Sequence, residues 1–319
     1  MTLSLMPTSR GARAAFLFPG QGAQAVGMGR ELYEQSPAAR EVFEQVDDAL
    51  GRPLTELLFQ GPDEELKQTV NAQPAIMAVS LACIKAMEER LDDDALPAPV
   101  VMAGHSLGEY TALAAAGVLD VSETARLVDL RSKLMQEACD RNPGTMAAVL
   151  GLDEMTMEEV ARDTGVYVSN VNTAEQIVIS GDRLAIARAL DLASARGAKK
   201  VIPLQVGGAF HSGLMEPAMA GLVRAINEVE FRDPSVPIIA NCTGRPLTDA
   251  QDIRHELISQ ICGCVQWKRS VDYMVKTGVS NFVEIGPGRA LSGMVKRINR
   301  RAQVTNIGDL ESILSLHRN

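Results

Sequence analysis

Short apolar runs alternate with longer helical patterns over the first 140 residues of the chain. Residues 14–18 are uniformly apolar and end at Pro19-Gly20, which predicts a buried strand. Residues 99–103 predict a second one. The apolar spacing predicts helices at 28–50, 73–90, 110–117 and 122–139. Buried strands separated by helices are typical of an α/β fold, with a parallel sheet covered by helices on both faces.

The middle of the chain has a different rhythm. Strand patterns at 145–150, 167–171, 176–180 and 200–206 enclose helical patterns at 156–163 and 183–196. This β-α-β-β-α-β order predicts a ferredoxin-like α+β subdomain. We therefore predict an inserted subdomain at 140–206 and a catalytic core at 11–139 and 207–319. Further strands predicted at 238–241 and 281–285 continue the core.

Composition narrows the class of protein. The 319 residues carry a formal charge of −9, which argues against a general nucleic-acid binder. No apolar run approaches the roughly 18 residues of a membrane helix. Five cysteines, with only Cys262 and Cys264 close together, predict neither a disulfide framework nor a metal site. We expect a globular enzyme without a membrane partner.

The first thirty residues are basic, with Arg10, Arg13 and Arg30 and no acidic residue. This bias faintly resembles a transit peptide, but the first strand pattern begins too early for one. We expect a short leader on a cytoplasmic protein.

One motif stands where the second strand meets the following helix. Residues 104–108 have the pattern Gly-x-Ser-x-Gly, with Ser106 at the centre. The glycines permit a sharp strand-to-helix turn that exposes the serine hydroxyl at a helix N-terminus. There the Leu107 N–H could donate into an oxyanion hole. The pattern predicts a nucleophile; the alternative is a serine that only caps the helix.

A serine nucleophile needs a base, and the sequence has four histidines. His105 adjoins Ser106 and should point away from it. His255 lies in a polar helical stretch, and His317 lies near the C-terminus. His211 remains, and we predict that it moves the proton. No acidic residue stands out as a third member, so a backbone carbonyl could orient the imidazole instead.

A glycine-rich pattern after the first strand suggests a different function. Residues 20–25 satisfy Gly-x-Gly-x-x-Ala, as in dinucleotide-binding proteins. Such a unit needs a second strand that ends in an acidic residue about twenty residues later. Here that region, 33–50, has a helical pattern. We therefore expect no dinucleotide cofactor.

Four motifs together resemble one family. They are residues 18–24 (FPGQGAQ), 104–109 (GHSLGE), 209–212 (AFHS) and 284–288 (EIGPG). In this order they resemble the malonyl-CoA:acyl carrier protein transacylases, which include the acyltransferase domains of fatty-acid and polyketide synthases. The resemblance covers nearly the whole chain. It implies an α/β-hydrolase-like core with a ferredoxin-like insert, in agreement with the pattern above.

The resemblance implies a role for each matching residue. Ser106 would attack the malonyl thioester, and His211 would act as general base and then general acid. A backbone carbonyl near Gln266 would hold the imidazole. The other implied site residues are Gln21 and the Leu107 N–H at the oxyanion hole, and Gln73, Arg131, Phe210, Asn170 and Asn172 around the substrate.

Arg131 would determine which acyl group is accepted. A guanidinium can bind the free carboxylate of a malonyl group through two parallel hydrogen bonds. An acetyl group would leave the buried charge unpaired, so the site should discriminate against it. Phe210 before His211 fits the malonyl-type pattern, because methylmalonyl-specific relatives usually carry serine there.

The expected reaction moves malonyl from coenzyme A to Ser106 and then to the phosphopantetheine thiol of acyl carrier protein. It needs no metal and no cofactor beyond the coenzyme A thioester that is its substrate. A malonyltransferase for a polyketide or polyunsaturated-lipid synthase is the nearest alternative. A serine hydrolase or thioesterase and a noncatalytic carrier-docking module are the others.

Acyl carrier proteins are strongly acidic, so basic clusters are candidate docking sites. Lys296 and Arg297 are the pair we predict for this role; the alternative is ordinary solvated surface charge. We expect a monomer.

Overall fold

The structure is a computed structural model that describes residues 13–91 and 98–316. The predicted leader with Arg10, the first two residues of the predicted core and His317 lie outside the described residues. The strands are β1 (Arg13–Phe18), β2 (Pro99–Gly104), β3 (Thr145–Leu150), β4 (Tyr167–Thr173), β5 (Gln176–Gly181), β6 (Lys200–Pro203), β7 (Ile238–Ile239), β8 (Pro246–Leu247), β9 (Val279–Ile285) and β10 (Gln303–Ile307).

The helices cover these strands. Those within residues 28–50 and 69–196, and the one that contains His255, lie where helical patterns were predicted, whereas the others were not predicted. The helices are α1 (Arg30–Gln35), α2 (Pro37–Leu50), α3 (Leu54–Gln60), α4 (Asp63–Leu66), α5 (Thr69–Arg90), α6 (Leu107–Ala115), α7 (Val121–Arg141), α8 (Glu154–Thr164), α9 (Arg183–Ala195), α10 (Glu216–Glu228), α11 (Ala250–Gln260), α12 (Trp267–Lys276), α13 (Ala290–Ile298) and α14 (Leu310–Ser315), with a short 3-10 helix at Gly213–Met215.

The larger sheet has six strands in the order β10-β9-β1-β2-β7-β8. Its neighbours are parallel except for β8, which pairs antiparallel with β7 at the edge. The two strands predicted from the N-terminal half, β1 and β2, lie side by side at its centre. The predicted parallel sheet is therefore confirmed.

Side chains of β1 alternate between two hydrophobic clusters because successive strand residues point to opposite faces. Phe16 and Phe18 pack in a cluster with helices α2, α5 and α7. Ala15 and Leu17 pack in a second cluster that contains Trp267 of α12. Both faces of the sheet are thus buried, which explains why β1 is apolar from Ala14 to Phe18.

Proline and its preceding residue set one helix boundary that the 28–50 pattern did not resolve. Ser36 accepts a hydrogen bond from the Ala39 N–H at 3.1 Å and caps α2, with Pro37 at the first helical position. The chain therefore forms two helices, α1 and α2. In contrast, α5 contains Pro74 and begins at Thr69, before the predicted start, so that Pro74 lies in its second turn.

Among the described residues, α5 is the helix whose length and hydropathy would also suit a membrane span. However, 89% of its most apolar window is buried within the protein. Its apolar character is accounted for by packing against α2, α6 and α7.

The smaller sheet is antiparallel, in the order β4-β5-β3-β6. Helices α8 and α9 pack on it around a third hydrophobic cluster, which includes Val149, Met157 and Ile186. The β-α-β-β-α-β order expected for this stretch is therefore present. Its last strand, β6, is shorter than the predicted 200–206.

Backbone hydrogen bonds join β4 to the loop between α11 and α12. Val171 N–H donates to Val265 O at 2.9 Å, and Val265 N–H donates to Ser169 O at 2.8 Å. The carboxyl-terminal half of β4 is thereby held beside the end of α11, where the candidate site lies.

Candidate active site

Ser106 lies on the turn between β2 and α6, as its motif predicted. Its backbone has φ 53° and ψ −107°. His211, the predicted base, has φ 55°, and these two are the non-glycine residues with positive φ among those described. Positive φ in such residues costs energy and is frequent at functional sites. The two candidate catalytic residues therefore share a strained backbone.

The glycines of the motif are required by close packing. A Cβ on Gly104 would lie 1.9 Å from the Gly108 backbone, and one on Gly108 would lie 2.0 Å from Phe18 O. Neither glycine has positive φ. Their spacing predicted that these glycines permit a sharp turn; in the structure they instead leave the space in which β2, α6 and the end of β1 meet.

Ser106 and His211 are in direct contact. His211 Nε2 lies 2.7 Å from Ser106 Oγ, and His211 Nδ1 lies 2.9 Å from the Gln260 carbonyl oxygen. Because a carbonyl only accepts, Nδ1 carries the hydrogen and Nε2 presents its lone pair to the hydroxyl. Burial, reinforced by the charge of Arg131, lowers the pKa of His211 to about 3. The imidazole is thus neutral at neutral pH, the state that a general base needs.

The carbonyl that orients His211 differs from the one expected. Gln260 ends α11, where the last carbonyls lack partners within the helix. The Gln266 carbonyl instead accepts the Ser270 N–H at 3.0 Å at the start of α12. The prediction of a carbonyl near Gln266 is therefore wrong, and Gln260 occupies that place.

Arg131, on α7, extends to Ser106 and is completely buried. Its Nη1 donates to Gln73 Oε1 at 2.6 Å. Its Nη2 donates to Gln260 Oε1 at 2.9 Å and to Ser106 Oγ at 3.2 Å. Burial lowers the pKa of Arg131, but an arginine side chain keeps its charge in proteins. These hydrogen-bond partners are two amides and a hydroxyl, so the cation beside Ser106 is held by neutral groups.

Gln260 is a site residue that the sequence analysis missed. Its side-chain Nε2 donates to Ser106 O at 2.9 Å and to Glu109 Oε2 at 2.5 Å. With the bonds from Arg131 and His211, Gln260 contacts Ser106, His211 and Arg131. One signal was available: Gln260 is a polar residue on the buried face of α11, beside Leu257.

Asn241 was also missed as a site residue, although the predicted strand 238–241 ends on it. Its Oδ1 accepts the Ser106 N–H at 2.7 Å, and its Nδ2 donates to Gly104 O at 2.8 Å. Asn241 follows β7, the neighbour of β2, and the carboxyl ends of parallel strands meet at one edge of a sheet. That position was the signal that could have identified it.

Gln21 and Leu107, the residues predicted at the oxyanion hole, differ in their surroundings. Gln21 Nε2 donates to Thr69 Oγ1 at 3.2 Å, and Gln21 Oε1 accepts from Gln73 Nε2 at 3.4 Å. Gln73 is buried and links Gln21 to Arg131. Leu107 is the first residue of α6, where a backbone N–H has no partner within the helix.

Asn172 and Phe210 lie around the site but differ in their contacts. Asn172 Oδ1 accepts a hydrogen bond from His105 Nε2 at 2.9 Å, which turns His105 toward the small sheet. Burial lowers the pKa of His105, so its ring is neutral. Phe210, which precedes His211 in the sequence, is buried in the hydrophobic cluster that contains Phe16 and Phe18. Asn170, also buried, accepts a hydrogen bond from Ser169 Oγ.

The remaining candidates lie on the surface. Lys296 Nζ donates to Ala302 O at 2.6 Å, and Arg297 Nη1 donates to Gln176 Oε1 at 3.1 Å. Neither contact connects Lys296 or Arg297 to Ser106 or the residues bonded to it. His255 is exposed on α11, as expected. No group of three or more His, Cys, Asp and Glu in the described ranges could hold a metal ion.

A serine and a neutral histidine in contact at a strand-to-helix turn form the arrangement that acyl-transferring enzymes use for a serine nucleophile. The fold and the site thus define the class, an acyltransferase. The chain belongs to the acyl transferase domain family, whose model matches residues 15–319.

One curated relative and two solved structures show which acyltransferases the chain is similar to. The chain is 42% identical over 307 residues to the malonyl CoA-acyl carrier protein transacylase of Bacillus subtilis, covering 95% of each chain. It resembles the crystal structure of the acyl-carrier-protein-S-malonyltransferase of Bartonella henselae (TM-score 0.91, 42% identity, 96% and 98% coverage). It also resembles a malonyl-transacylase in complex with a type II polyketide-synthase acyl carrier protein (TM-score 0.92, 38% identity, 97% and 100% coverage).

Proposed function

We propose that this acyltransferase moves malonyl from malonyl-CoA to the phosphopantetheine thiol of holo-acyl carrier protein through a malonyl-Ser106 intermediate, and so supplies fatty-acid synthesis. One observation supports malonyl as the acyl group. The buried guanidinium of Arg131 lies 3.2 Å from Ser106 Oγ and is held by neutral partners. A substrate whose reacting carbonyl is close to a free carboxylate matches this pairing of nucleophile and cation.

In the first half-reaction, His211 Nε2 takes the hydroxyl proton as Ser106 Oγ bonds to the thioester carbonyl carbon. The carbonyl oxygen becomes an oxyanion, for which the Leu107 N–H and Gln21 are the proposed donors. The carbon–sulfur bond then breaks, and His211 returns the proton to the coenzyme A thiolate. Malonyl remains on Ser106 as an ester.

The second half-reaction is the reverse with a new thiol. His211 takes the proton of the phosphopantetheine thiol as its sulfur bonds to the ester carbonyl. The carbon–oxygen bond breaks, and the proton goes to Ser106 Oγ. The Gln260 carbonyl keeps Nδ1 protonated throughout, so the same nitrogen moves the proton in both steps.

The other residues proposed to act on the substrate are Arg131, Gln73, Phe210 and Asn172. Arg131 binds the malonyl carboxylate and Gln73 holds one edge of its guanidinium. Phe210 supplies an apolar wall, and Asn172 acts through its bond to His105. No metal or redox cofactor enters either step, because coenzyme A thioester chemistry and proton transfer account for the whole reaction.

We also propose two units within the chain: an α/β-hydrolase-like core at 11–139 and 207–319, and a ferredoxin-like subdomain at 140–206. The separate hydrophobic cluster and antiparallel sheet of the middle segment support this division. A cytoplasmic location and a monomeric state remain predictions.

The carrier could also belong to a polyketide synthase. One similar structure is a complex with a type II polyketide-synthase acyl carrier protein, which favours this as the second candidate. Rates measured with fatty-acid and polyketide carriers would separate the two.

Intact-protein mass spectrometry tests the proposal directly. After mixing with malonyl-CoA, the chain should gain the mass of one malonyl group, on the peptide that contains Ser106. Ser106→Ala should gain none. An unmodified wild-type chain, or malonyl on another residue, would overturn the proposed intermediate.

A further inference from the structure

Glu109 is a fully buried carboxylate in the first turn of α6, and no step of the proposed reaction uses it. Its Oε1 accepts the Asn241 N–H at 3.0 Å, and its Oε2 accepts from Gln260 Nε2 at 2.5 Å. Burial and the neighbouring Glu256 raise the pKa of Glu109. Burying a carboxylate costs free energy, which suggests that Glu109 serves a function.

The hydrogen bonds of Gln260 depend on which way its amide faces. A primary amide has a donating NH₂ end and an accepting oxygen end. Glu109 Oε2 attracts the NH₂ end, which also donates to the Ser106 carbonyl, and this leaves Oε1 facing Arg131 Nη2 at 2.9 Å. The flipped amide would set donor against donor at Arg131, and acceptor against acceptor at Glu109 and at the Ser106 carbonyl.

We propose that Glu109 is a positioning residue for acyl transfer: by fixing the amide of Gln260, it holds Arg131 in the orientation that receives the substrate carboxylate. Its other oxygen supports the turn, because Asn241 in turn accepts the Ser106 N–H. Glu109 touches no reacting atom and acts through Gln260. The inference rests on the proposed role of Arg131 in binding the malonyl carboxylate.

A competing explanation is that Glu109 supplies only negative charge near Arg131. The chain offers a matched control in Glu256, a second buried carboxylate, on α11. Glu256 Oε1 accepts the Cys242 N–H at 2.8 Å, and Gln260 is not among its hydrogen-bond partners. Removing the charge of Glu256 therefore alters the electrostatics nearby without removing the group that orients Gln260.

The test compares kcat/KM for malonyl-CoA with kcat/KM for acetyl-CoA. Glu109→Gln keeps the shape but brings a second NH₂ group toward the Gln260 NH₂ or the Asn241 N–H. We expect the malonyl-to-acetyl ratio to fall about tenfold, mostly through a higher KM for malonyl-CoA, because Arg131 loses its fixed acceptor. Glu256→Gln should keep the ratio within about twofold of wild type.

A purely structural role would lower both activities together and leave the ratio unchanged, which would overturn the inference. An equal fall in the ratio for Glu256→Gln would overturn it too, in favour of charge alone. Arg131→Ala is measured alongside. If it leaves the ratio unchanged, the proposed function of Arg131 fails together with this inference. If it changes the ratio while Glu109→Gln does not, only the inference about Glu109 fails.

Should Glu109→Gln fail to fold, Glu109→Asp carries the same test. Its shorter side chain keeps the carboxylate but cannot span both Asn241 and Gln260. The ratio should fall in this variant as well, and a wild-type ratio in folded Glu109→Asp would overturn the proposal.

Discussion

Ser106 and His211 have a backbone conformation that most residues avoid, and the hydrogen bonds around Ser106 explain how it persists there. Asn241 accepts the Ser106 N–H, and Gln260 donates to the Ser106 carbonyl. Both main-chain polar groups of Ser106 are thus satisfied by side chains from distant parts of the chain. The strained turn is therefore fixed before substrate binds, which is how pre-organised sites keep a nucleophile in place.

Replacing Arg131 should separate binding of malonyl from the chemistry at Ser106. Arg131→Ala removes the partner of a buried carboxylate, which costs about 3–5 kcal/mol, so kcat/KM for malonyl-CoA should fall more than about 100-fold. Acetyl transfer should be unchanged or faster. Arg131→Lys keeps the charge without the forked geometry and should lie between the two. Steady-state kinetics with both substrates measures this, and equal losses for malonyl and acetyl would contradict the assignment.

The pH dependence of acylation should report the neutral state of His211. With its pKa lowered to about 3, the base stays unprotonated, so the acylation rate should be constant from about pH 7.5 down to about pH 5. A group with the ordinary histidine pKa would instead lose activity near pH 6.5. Stopped-flow acylation with acetyl-CoA, which does not require Arg131, distinguishes these results.

The same experiment in Arg131→Ala should move the acidic limb to higher pH. The positive charge of Arg131 is the second cause, after burial, that lowers the pKa of His211. Without that charge the pKa rises, so the base becomes protonated, and activity declines, at a higher pH than in wild type. An unmoved or lower limb would contradict the electrostatic coupling of these two residues.

At the scale of elements, the site depends on how closely β1, β2 and α6 approach. Gly108 lies where α6 passes the end of β1. Gly20 lies in the loop after β1, and a Cβ there would collide with the His105 carbonyl oxygen. Any side chain at these points would separate the nucleophile turn from the loop that carries Gln21. The glycines therefore let the turn that carries Ser106 and the loop that carries Gln21 lie side by side.

Gly108→Ala should destabilise the protein strongly. The new methyl group would lie 2.0 Å from the Phe18 carbonyl oxygen, so backbone must move, at a cost of about 3 kcal/mol or more. Gly293→Ala is the matched control, because nothing lies within 4 Å of its Cβ position in α13. That change should stabilise by about 0.5–1 kcal/mol. Urea unfolding measures both, and similar stabilities for the two variants would contradict the packing argument.

Eight of the ten strands, the helices within 28–50 and 69–196, and the helix that contains His255 were predictable from the sequence because each depends on local periodicity, whereas the other six helices and strands β8 and β10 were not predicted. The apolar run of β1, the Gly-x-Ser-x-Gly turn and the pattern of the smaller sheet all follow from neighbouring residues. The boundary at Ser36 was missed because a helix cap outweighs apolar spacing there. The early start of α5 was missed because proline is typical of the first turn of a helix, whereas Pro74 lies in the second turn of α5.

The site was predictable only where a motif marked it. Ser106 and His211 stood out by type and context, and the structure brings them together. Gln260 and Asn241 contact Ser106 across 154 and 135 residues, a separation that no periodicity encodes. For the same reason the carbonyl that orients His211 was assigned to the wrong residue.

At the scale of the whole molecule, the net charge of −9 conceals local basic clusters. Both proposed partners, coenzyme A and the carrier, are anionic. Any attraction would therefore come from local basic patches, and the pair predicted for this role, Lys296 and Arg297, is exposed on the last turn of α13. Long-range repulsion from the rest of the surface would be reduced by salt.

Charge reversal at this patch should weaken carrier recognition alone. Lys296→Glu with Arg297→Glu should raise KM for acyl carrier protein about tenfold while leaving acylation by malonyl-CoA unchanged. Lys67→Glu, an exposed reversal at the end of α4, is the control and should change neither. An unchanged KM for the carrier, or slower acylation, would contradict the proposed docking site.

The most direct test of the account is a chase of the isolated acyl-enzyme. Malonyl-enzyme freed of coenzyme A is mixed with holo-acyl carrier protein, and both proteins are weighed by mass spectrometry over time. We predict that the carrier gains malonyl at the rate at which the enzyme loses it, while apo-carrier, which lacks the thiol, gains none. Release of free malonate without malonyl-carrier would contradict the account and identify a hydrolase.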